Sequence, residues 1–115
     1  MPTKIHCYFT YIMSNKHDTV LYVGMTNNLI GRCIQHKSGK IEGFTKRYNV
    51  HKLVYFEEYA YAMEAIMREK QVKKYSRAKK DALINQVNPK REELFKNGVI
   101  KKPGSKNDRE NETEE

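Results

Sequence analysis

The sequence predicts an α+β fold in which helices flank a three-stranded antiparallel sheet, in the order β-β-α-β-α-α. Two apolar runs separated by a polar turn lie near the start of the chain and predict a hairpin. A helical pattern, a third strand-like run and two further helical patterns follow. With 115 residues the chain is long enough for one domain with a modest core. We expect that domain over residues 1–100 and a disordered charged tail over residues 101–115.

The predicted hairpin begins at residues 5–13, which are rich in aromatic and β-branched side chains. Apolar residues fall on both faces of this strand, as in a strand at the centre of a sheet. Residues 14–19 are polar turn material, and residues 20–23 form the second predicted strand. The pairing would place Tyr11 and Tyr22 on neighbouring strands.

A helix is predicted after the hairpin. It begins near Asn27 or Asn28, because either side chain can accept hydrogen bonds from N–H groups of the first turn. Arg32 and His36 are four residues apart and therefore lie one turn apart on the same side. A cation and an imidazole placed in this way, close to the second strand, suit the handling of a phosphate. The alternative is an ordinary solvated helix face. Gly39 supplies the stop signal.

A basic loop is predicted over residues 40–51. It carries a cluster of hydrogen-bonding and cationic side chains, Thr45, Lys46 and Arg47. Cations beside an aromatic residue, here Tyr48, suit phosphate contact and base stacking. A basic loop is more often only solvated, so this interpretation needs support from elsewhere in the chain. Residues 52–57 form the third predicted strand.

The most informative helix is predicted over residues 60–75. Its apolar side chains form one stripe that should face the sheet, Ala62, Ala65, Ile66 and Val72. Glu69 falls in the middle of that stripe, where a carboxylate is costly to bury unless a cation or a hydrogen-bond donor meets it. One interpretation is an ion pair with Lys73, four residues on, worth a few tenths of a kcal/mol. The other is a metal ligand.

Cations are concentrated on the outward faces of this helix and on the residues after it. We call this group the basic ridge: Arg68, Lys70, Lys73, Lys74, Arg77, Lys79 and Lys80. The net charge of the chain is +8, but residues 103–115 hold two basic and five acidic side chains, which leaves +11 on residues 1–102. A small domain this basic most often binds nucleic acid, although a charged surface without a partner is the alternative.

The last predicted helix is capped by Ser76 and runs through Asn85. Asn88 and the proline after it mark a turn. Residues 90–96 are predicted to form a short final helix, ended by an Asn-Gly pair. From Lys101 onward the chain lacks apolar residues, which predicts disorder.

Several classes of protein are disfavoured by what the sequence lacks. No apolar run is long enough to span a membrane, and the start does not resemble a signal sequence. Cys7 and Cys33 lack CxxC spacing and suggest neither a disulfide framework nor a zinc site. We therefore expect an intracellular protein, cytoplasmic or associated with the nucleoid or nucleus.

Five polar positions and the order of elements resemble the GIY-YIG nuclease superfamily over roughly residues 5–95. The second half of the name motif is Tyr-Val-Gly at residues 22–24, and the first half is Phe-Thr-Tyr at residues 9–11, where only the tyrosine is kept. Arg32 and His36 follow at the family's spacing. The segment Arg-Glu-Lys-Gln-Val-Lys at residues 68–73 matches the helix that carries the family's metal-binding glutamate, and Asn88 matches an asparagine near the domain's end.

The resemblance implies a role for each matched position. The implied catalytic residues are Tyr11, Tyr22, Arg32, His36 and Glu69. Glu69 would bind one Mg²⁺ or Mn²⁺ ion, while Gly24 and Asn88 would support the site. Tyr11, with Tyr22 beside it, would orient or deprotonate the attacking water, although the sequence does not decide which tyrosine is the base.

The resulting hypothesis is a divalent-metal-dependent endonuclease that hydrolyses phosphodiester bonds in DNA, in repair or processing. The residues expected to contact nucleic acid are Thr45, Lys46, Arg47, Lys70, Lys73, Lys74 and Arg77. A non-catalytic nucleic-acid-binding module is the main alternative. A basic scaffold within a larger ribonucleoprotein or repair assembly is another, but it leaves Glu69 unexplained.

Overall fold

The computed structural model of the protein describes residues 7–39, 43 and 47–102. Within these ranges a three-stranded antiparallel sheet is flanked by helices, which confirms the predicted α+β class and element order. The main elements are β1 (Tyr8–Ser14), β2 (Leu21–Thr26), α1 (Leu29–Ser38), β3 (Lys52–Tyr59), α2 (Ala62–Lys73) and α3 (Arg77–Val87). Two-residue strands β4 (Phe95–Lys96) and β5 (Val99–Ile100) follow.

Strand β1 lies at the centre of the sheet, whose order is β2-β1-β3. Tyr11 pairs with Gly24 of β2 on one side and with Phe56 of β3 on the other. Met13 pairs with Tyr22, so the two tyrosines lie on the same face of the hairpin, offset along the strands. The central position explains why β1 is apolar on both faces, as the sequence predicted.

Each face of the sheet carries its own apolar cluster. On the face of Tyr11 the buried residues include Met13, and helix α1 contributes Leu29 and Cys33. On the opposite face the cluster is built from all three strands and from α2 and α3: Ile12, Val23, Val54, Tyr55, Val72 and Ile84. Helix α1 therefore packs against one face, and α2 and α3 pack against the other.

The helix ends follow the predicted signals. The Asn28 side chain accepts a hydrogen bond from the backbone N–H of Gly31 at 3.0 Å, which caps α1. Gly39 ends α1 in the left-handed conformation, with φ of 72°. Ser76 caps α3 by accepting a bond from the N–H of Lys79 at 3.2 Å.

The predicted helix over residues 90–96 is wrong. A hairpin occupies part of this region, because Asn97 and Gly98 adopt φ of 55° and 78° and so form a turn with two left-handed residues between β4 and β5. An Asn-Gly pair between short strands is a strong hairpin signal, and here that signal prevails over its other use as a helix stop. The hairpin packs onto the α1 face of the sheet through Phe95 and Ile100.

The segment leading into this hairpin is bonded to the outer edge of β3. The N–H of Leu94 donates to the carbonyl of Leu53 at 2.9 Å. The Glu93 carboxylate accepts from the N–H of Leu53 at 2.8 Å and also pairs with Lys37 of α1. The described chain ends just after Lys101, whose N–H donates to the carbonyl of Leu94 at 2.7 Å.

Some predicted features lie outside the described residues. They are Thr45 and Lys46 of the basic loop and residues 103–115 of the charged tail. Among the helices that are described, none has the length and apolar character needed to cross a membrane.

Candidate active site

Three predicted site residues meet on the α1 face of the sheet. The ring centroids of Tyr11 and Tyr22 are 6.3 Å apart. The His36 ring, from the last turn of α1, lies 6.1 Å from Tyr11 and 5.7 Å from Tyr22. The two strands and the helix therefore bring two phenols and one imidazole into a single cluster, as the resemblance implied.

The close approach of Tyr11 to β2 depends on Gly24. A Cβ atom built on Gly24 would lie 2.5 Å from the Tyr11 hydroxyl and 2.6 Å from the ring carbon that bears it. Real Cβ contacts do not come this close, so the phenol occupies space that only glycine leaves open. Gly24 of the second half-motif thus determines where the Tyr11 ring of the first half-motif can lie.

Gly24→Ala should consequently displace the Tyr11 ring and destabilise the fold by about 1–3 kcal/mol, the usual range for overpacking a core. Urea denaturation measures the loss. The same substitution in a Tyr11→Phe background should cost less, because the nearest clashing atom has been removed. Equal losses in the two backgrounds would contradict this steric account.

The Tyr11 phenol is buried and remains protonated. The residue is 2% exposed, and its hydroxyl oxygen lies 3.4 Å from Nε2 of His36. Burial raises the pKa of Tyr11 well above the usual range; the neighbouring Tyr22 adds to this, and Arg32 opposes it. A phenol in this position holds its proton at neutral pH. It suits orienting the imidazole better than removing a proton from water.

His36 is held as a neutral imidazole. The residue is 3% exposed, and burial, followed by the charge of Arg32 and the nearby His51, lowers the pKa of His36 to about 4. Its Nδ1 atom is buried and has no hydrogen-bond partner among the described residues. Its one bonded ring nitrogen is therefore Nε2, which faces the Tyr11 hydroxyl.

Two opposite charges act on the same phenol. The positive charge of Arg32 lowers the pKa of Tyr11, and the negative charge of Glu69 raises it. Arg32 belongs to α1 and Glu69 to α2, so helices on the two faces of the sheet each bring a charge to the neighbourhood of Tyr11. Of the five predicted catalytic residues, Tyr11, Tyr22 and His36 are in ring contact, while Arg32 and Glu69 act on the phenol through their charges.

Glu69 forms an ion pair with Lys73, one of the two alternatives that the sequence left open, with Nζ 2.9 Å from Oε2. The Glu69 side chain is 20% exposed, so its carboxylate can still be reached from solvent. No cluster of three or more His, Cys, Asp or Glu side chains that could hold a metal occurs in the described part of the chain. A single carboxylate nevertheless suits Mg²⁺, which keeps several waters and is often held by one or two carboxylates together with substrate phosphates.

The members of the basic ridge differ in how free they are to bind an anion. Lys70 of α2 and Lys74, which follows the last residue of α2, are exposed and line a groove of about 430 Å³ with Met67, Gln71 and Tyr75. The Arg77 guanidinium, in contrast, pairs with Asp81 at 3.1 Å.

One assignment to the basic ridge is corrected by the structure. Arg68 does not point outward as a solvated cation, because its guanidinium pairs with Glu57 of β3 at 2.9 Å and is only 22% exposed. Sequence reasoning missed Glu57 as a partner. The available signal was an acidic residue within an apolar strand, which needs a cation or donor in the fold.

The two remaining predicted residues that are described are Arg47 and Asn88, and each makes contacts with its own neighbours. Arg47 is exposed, and its guanidinium carbon lies 5.7 Å from the centre of the Tyr48 ring. Asn88 is buried and donates from Nδ2 to the carbonyls of Val54 at 2.9 Å and Glu92 at 3.0 Å. Its side chain thus joins the end of α3 to β3 and supports the fold.

Comparison with known proteins identifies the family of this chain. The family model described as GIY-YIG catalytic domain matches residues 7–82. A UPF0213 protein of Clostridium perfringens is 39% identical over 88 residues, which are 76% of this chain and 94% of the relative. A UPF0213 protein of Syntrophus aciditrophicus is 40% identical over 84 residues, which are 72% of this chain and 94% of the relative.

The solution NMR structure of the UPF0213 protein BH0048 from Bacillus halodurans is 30% identical in sequence, with a TM-score of 0.46. The match covers 70% of this chain and 84% of that one. GIY-YIG domains form a nuclease family that acts on nucleic acid and generally uses divalent metals. This protein belongs to the GIY-YIG family and is similar to its small UPF0213 members.

Proposed function

We propose that this protein is a divalent-metal-dependent endonuclease that hydrolyses phosphodiester bonds in DNA, in repair or processing. The observation that carries the proposal is the cluster of Tyr11, Tyr22 and the neutral His36. Arg32 lies on the same helix as His36, and Glu69 offers a partly exposed carboxylate on α2. The catalytic unit is the domain of residues 1–100. Both cysteines are free, in keeping with a reducing, intracellular setting.

Arg32 would bind a non-bridging phosphate oxygen. Arg32 lies one turn before His36 on α1, so a phosphate held by Arg32 would lie on the side of the helix that carries the imidazole of the cluster. A positioned guanidinium stabilises the negative charge that grows on phosphate oxygens as the attacking oxygen adds to phosphorus. Arg32 would thus act more strongly on the transition state than on the bound substrate.

Glu69 would hold the metal ion, Mg²⁺ or Mn²⁺. A bound divalent ion supplies Lewis-acid polarisation of the phosphate and stabilises the leaving oxygen. Lys73 competes for the same carboxylate, but an ion pair four residues apart on a partly exposed helix face is worth only a few tenths of a kcal/mol. The ion pair is therefore a weak competitor.

The two tyrosines would divide the work. Tyr22 is only partly buried, so its phenol is the better placed of the two to contact the attacking water. Tyr11 is closed off from solvent and would hold His36 in place through the bond to Nε2. His36, kept neutral, packs its ring 5.7 Å from that of Tyr22 and would help to hold this phenol in place.

Nucleic acid would be bound through the exposed lysines on α2 and at its C-terminal end. Replacing Lys70 and Lys74 together with alanine should reduce the dependence of log affinity on log salt by roughly one unit for each phosphate that the protein no longer binds. Lys73 stays unchanged in this test because it pairs with Glu69. Fluorescence anisotropy with a labelled duplex at several salt concentrations measures the slope.

The matched control is Lys90→Ala, an exposed lysine beyond the end of α3. It should leave the slope as in the parent protein. If the double variant also keeps the parent's slope, α2 is not the binding surface, and Arg47 with its loop becomes the next candidate.

The function itself is tested by incubating the purified protein with duplex, branched and single-stranded DNA and the corresponding RNAs, in Mg²⁺, Mn²⁺ or EDTA. Metal-dependent cleavage of DNA is the expected result. The Glu69–Lys73 ion pair favours the second candidate, a non-catalytic nucleic-acid-binding module. Binding without cleavage of any substrate in either metal would replace the nuclease by that module.

A further inference from the structure

We propose that Arg68, Glu57 and Thr10 are positioning residues that fix the rotation of α2 and with it the position of the Glu69 carboxylate. This inference rests on the metal-binding role proposed above for Glu69. It concerns the face of the sheet opposite Tyr11, where β3 and α2 are joined by polar contacts rather than by a large apolar surface.

The Glu57 carboxylate is the centre of these contacts. Arg68 donates to it from Nε at 2.9 Å and from Nη2 at 3.0 Å, one bond to each oxygen. The Tyr59 hydroxyl donates at 2.6 Å, and the Tyr55 hydroxyl donates to the other oxygen. A two-pronged arginine–carboxylate pair has little freedom to rotate, and two hydroxyls hold the acceptor from β3 itself.

The other side of the Arg68 guanidinium is also bonded. Its Nη1 donates to Oε1 of Gln71 at 2.8 Å and to the hydroxyl of Tyr75 at 3.3 Å. All three nitrogens of the guanidinium are therefore used. Because the Arg68 and Glu57 side chains are only 22% and 19% exposed, the pair is largely shielded from water. This pair therefore links β3 rigidly to α2, whereas an ion pair on the surface is solvated and contributes little. We call it the Arg68–Glu57 joint.

Thr10 provides a second anchor, from the central strand. It is 1% exposed, and its hydroxyl donates to the carbonyl of Ala65 at 2.8 Å. Ala65 precedes Glu69 by four residues, so in an α-helix its carbonyl also accepts the N–H of Glu69. Thr10 of β1 thus donates to the same carbonyl that accepts the backbone N–H of Glu69.

Polar anchors are needed because the apolar contact is small. Within α2 only Ala65 and Val72 are buried, and two side chains on one line act as an axis about which a helix can roll. Arg68 and Glu69 are consecutive and therefore lie about 100° apart around the helix. The stripe of Ala65 and Val72 falls between them. The Arg68–Glu57 pair on one side of this stripe therefore sets the position of the Glu69 carboxylate on the other side.

The displacement of the Glu69 carboxylate by such a rotation of α2 follows from helix geometry. Side-chain atoms lie about 5–6 Å from a helix axis, so a rotation of about 10° moves a terminal carboxylate by about 1 Å. A misplacement of about 1 Å in a catalytic group costs on the order of a hundredfold in rate. Loss of the Arg68–Glu57 joint is therefore expected to act on Glu69 even though neither residue would touch metal or substrate.

The test is the Mn²⁺ dissociation constant of Arg68→Gln, measured by electron paramagnetic resonance, together with amide hydrogen exchange along α2. We expect about tenfold or more weaker Mn²⁺ binding, the scale for losing a group that orients a metal ligand. Exchange of the Glu69 and Val72 amides should also accelerate. Arg68→Lys should not restore binding, because an ammonium cannot make the two-pronged contact.

The control is Arg91→Gln. Arg91 forms a similar shielded pair with Asp81 at 3.1 Å, is 14% exposed, and lies beyond α2. It should lower the melting temperature without changing Mn²⁺ affinity or exchange in α2. Should Arg68→Gln fail to fold, Thr10→Val removes only the hydroxyl and is expected to weaken Mn²⁺ binding and to accelerate exchange at Glu69.

The outcomes separate the two proposals. Parent-like Mn²⁺ affinity in a folded Arg68→Gln or Thr10→Val would overturn the positioning role and leave the metal assignment standing. If the parent binds no Mn²⁺, the metal assignment fails. Amide hydrogen exchange at Glu69 then tests by itself whether the Arg68–Glu57 pair fixes the position of α2. Acceleration in Arg68→Gln but not in Arg91→Gln would support it, and equal exchange in both would refute it.

Discussion

Glu69→Gln should reduce metal-dependent cleavage to about one thousandth of the parent rate or less, while DNA affinity changes by no more than about twofold. The divalent ion held by Glu69 would supply several kcal/mol of transition-state stabilisation, and each 1.4 kcal/mol is about tenfold in rate. Affinity depends instead on the phosphates bound by exposed lysines, which the substitution leaves in place. Single-turnover cleavage at saturating protein and an anisotropy titration measure the two quantities.

The control is Glu64→Gln, the same chemical change at an exposed carboxylate in the first turn of α2. It should cleave at the parent rate. Glu69→Gln also releases Lys73 from its ion pair, which could by itself tighten DNA binding slightly. Near-parent cleavage by Glu69→Gln would leave Glu69 as a helix-stabilising partner of Lys73 and remove the metal site from the proposal.

Tyr22→Phe should lower cleavage by about a hundredfold or more, the scale for losing a group that orients or deprotonates the attacking water. The ring stays, so packing against His36 and Tyr11 should hardly change. Tyr22 is the tyrosine that solvent can reach, whereas Tyr11 is 2% exposed. Cleavage rates at several pH values, with DNA affinity measured in parallel, check the assignment.

Tyr11→Phe is the paired variant and should lose less cleavage activity than Tyr22→Phe. It removes the hydroxyl that faces Nε2 of His36, and a missing hydrogen bond of this kind costs about 1 kcal/mol in stability. Its effect on cleavage would act through a misoriented imidazole. The larger loss identifies the tyrosine that meets the water. If both variants cleave at the parent rate, the tyrosine mechanism is wrong.

Local signals in the sequence were sufficient to predict the strands and helices around the site. A run of aromatic and β-branched residues predicted β1. Asn28, Gly39 and Ser76 predicted helix ends through bonds that each side chain or backbone makes nearby. The grouping of Tyr11, Tyr22 and His36 also followed from short spacings and the family resemblance. The site roles themselves stay predictions until the substitutions are made.

Features that depend on distant contacts could not be predicted. Glu57 and Arg68 are eleven residues apart on different elements, and no periodic pattern pairs them, so Arg68 was grouped with solvated cations. The burial of Tyr11 depends on Gly24 across the hairpin, and nothing local distinguishes it from Tyr22. The final hairpin was missed for a different reason, because Asn97 and Gly98 suit either a helix end or a tight turn.

Strand β3 lies at an edge of the sheet, and residues after the end of the family match cover part of that edge. An edge strand with free backbone groups is a template for pairing with another chain. Here the Leu94 N–H and the Glu93 carboxylate occupy the carbonyl and the N–H of Leu53, so that part of the edge is already satisfied. The family match ends at residue 82, before these groups. Glu93 and Leu94 therefore keep this part of the β3 edge from pairing with another chain, and truncation after residue 82 is expected to leave the Leu53 backbone groups exposed.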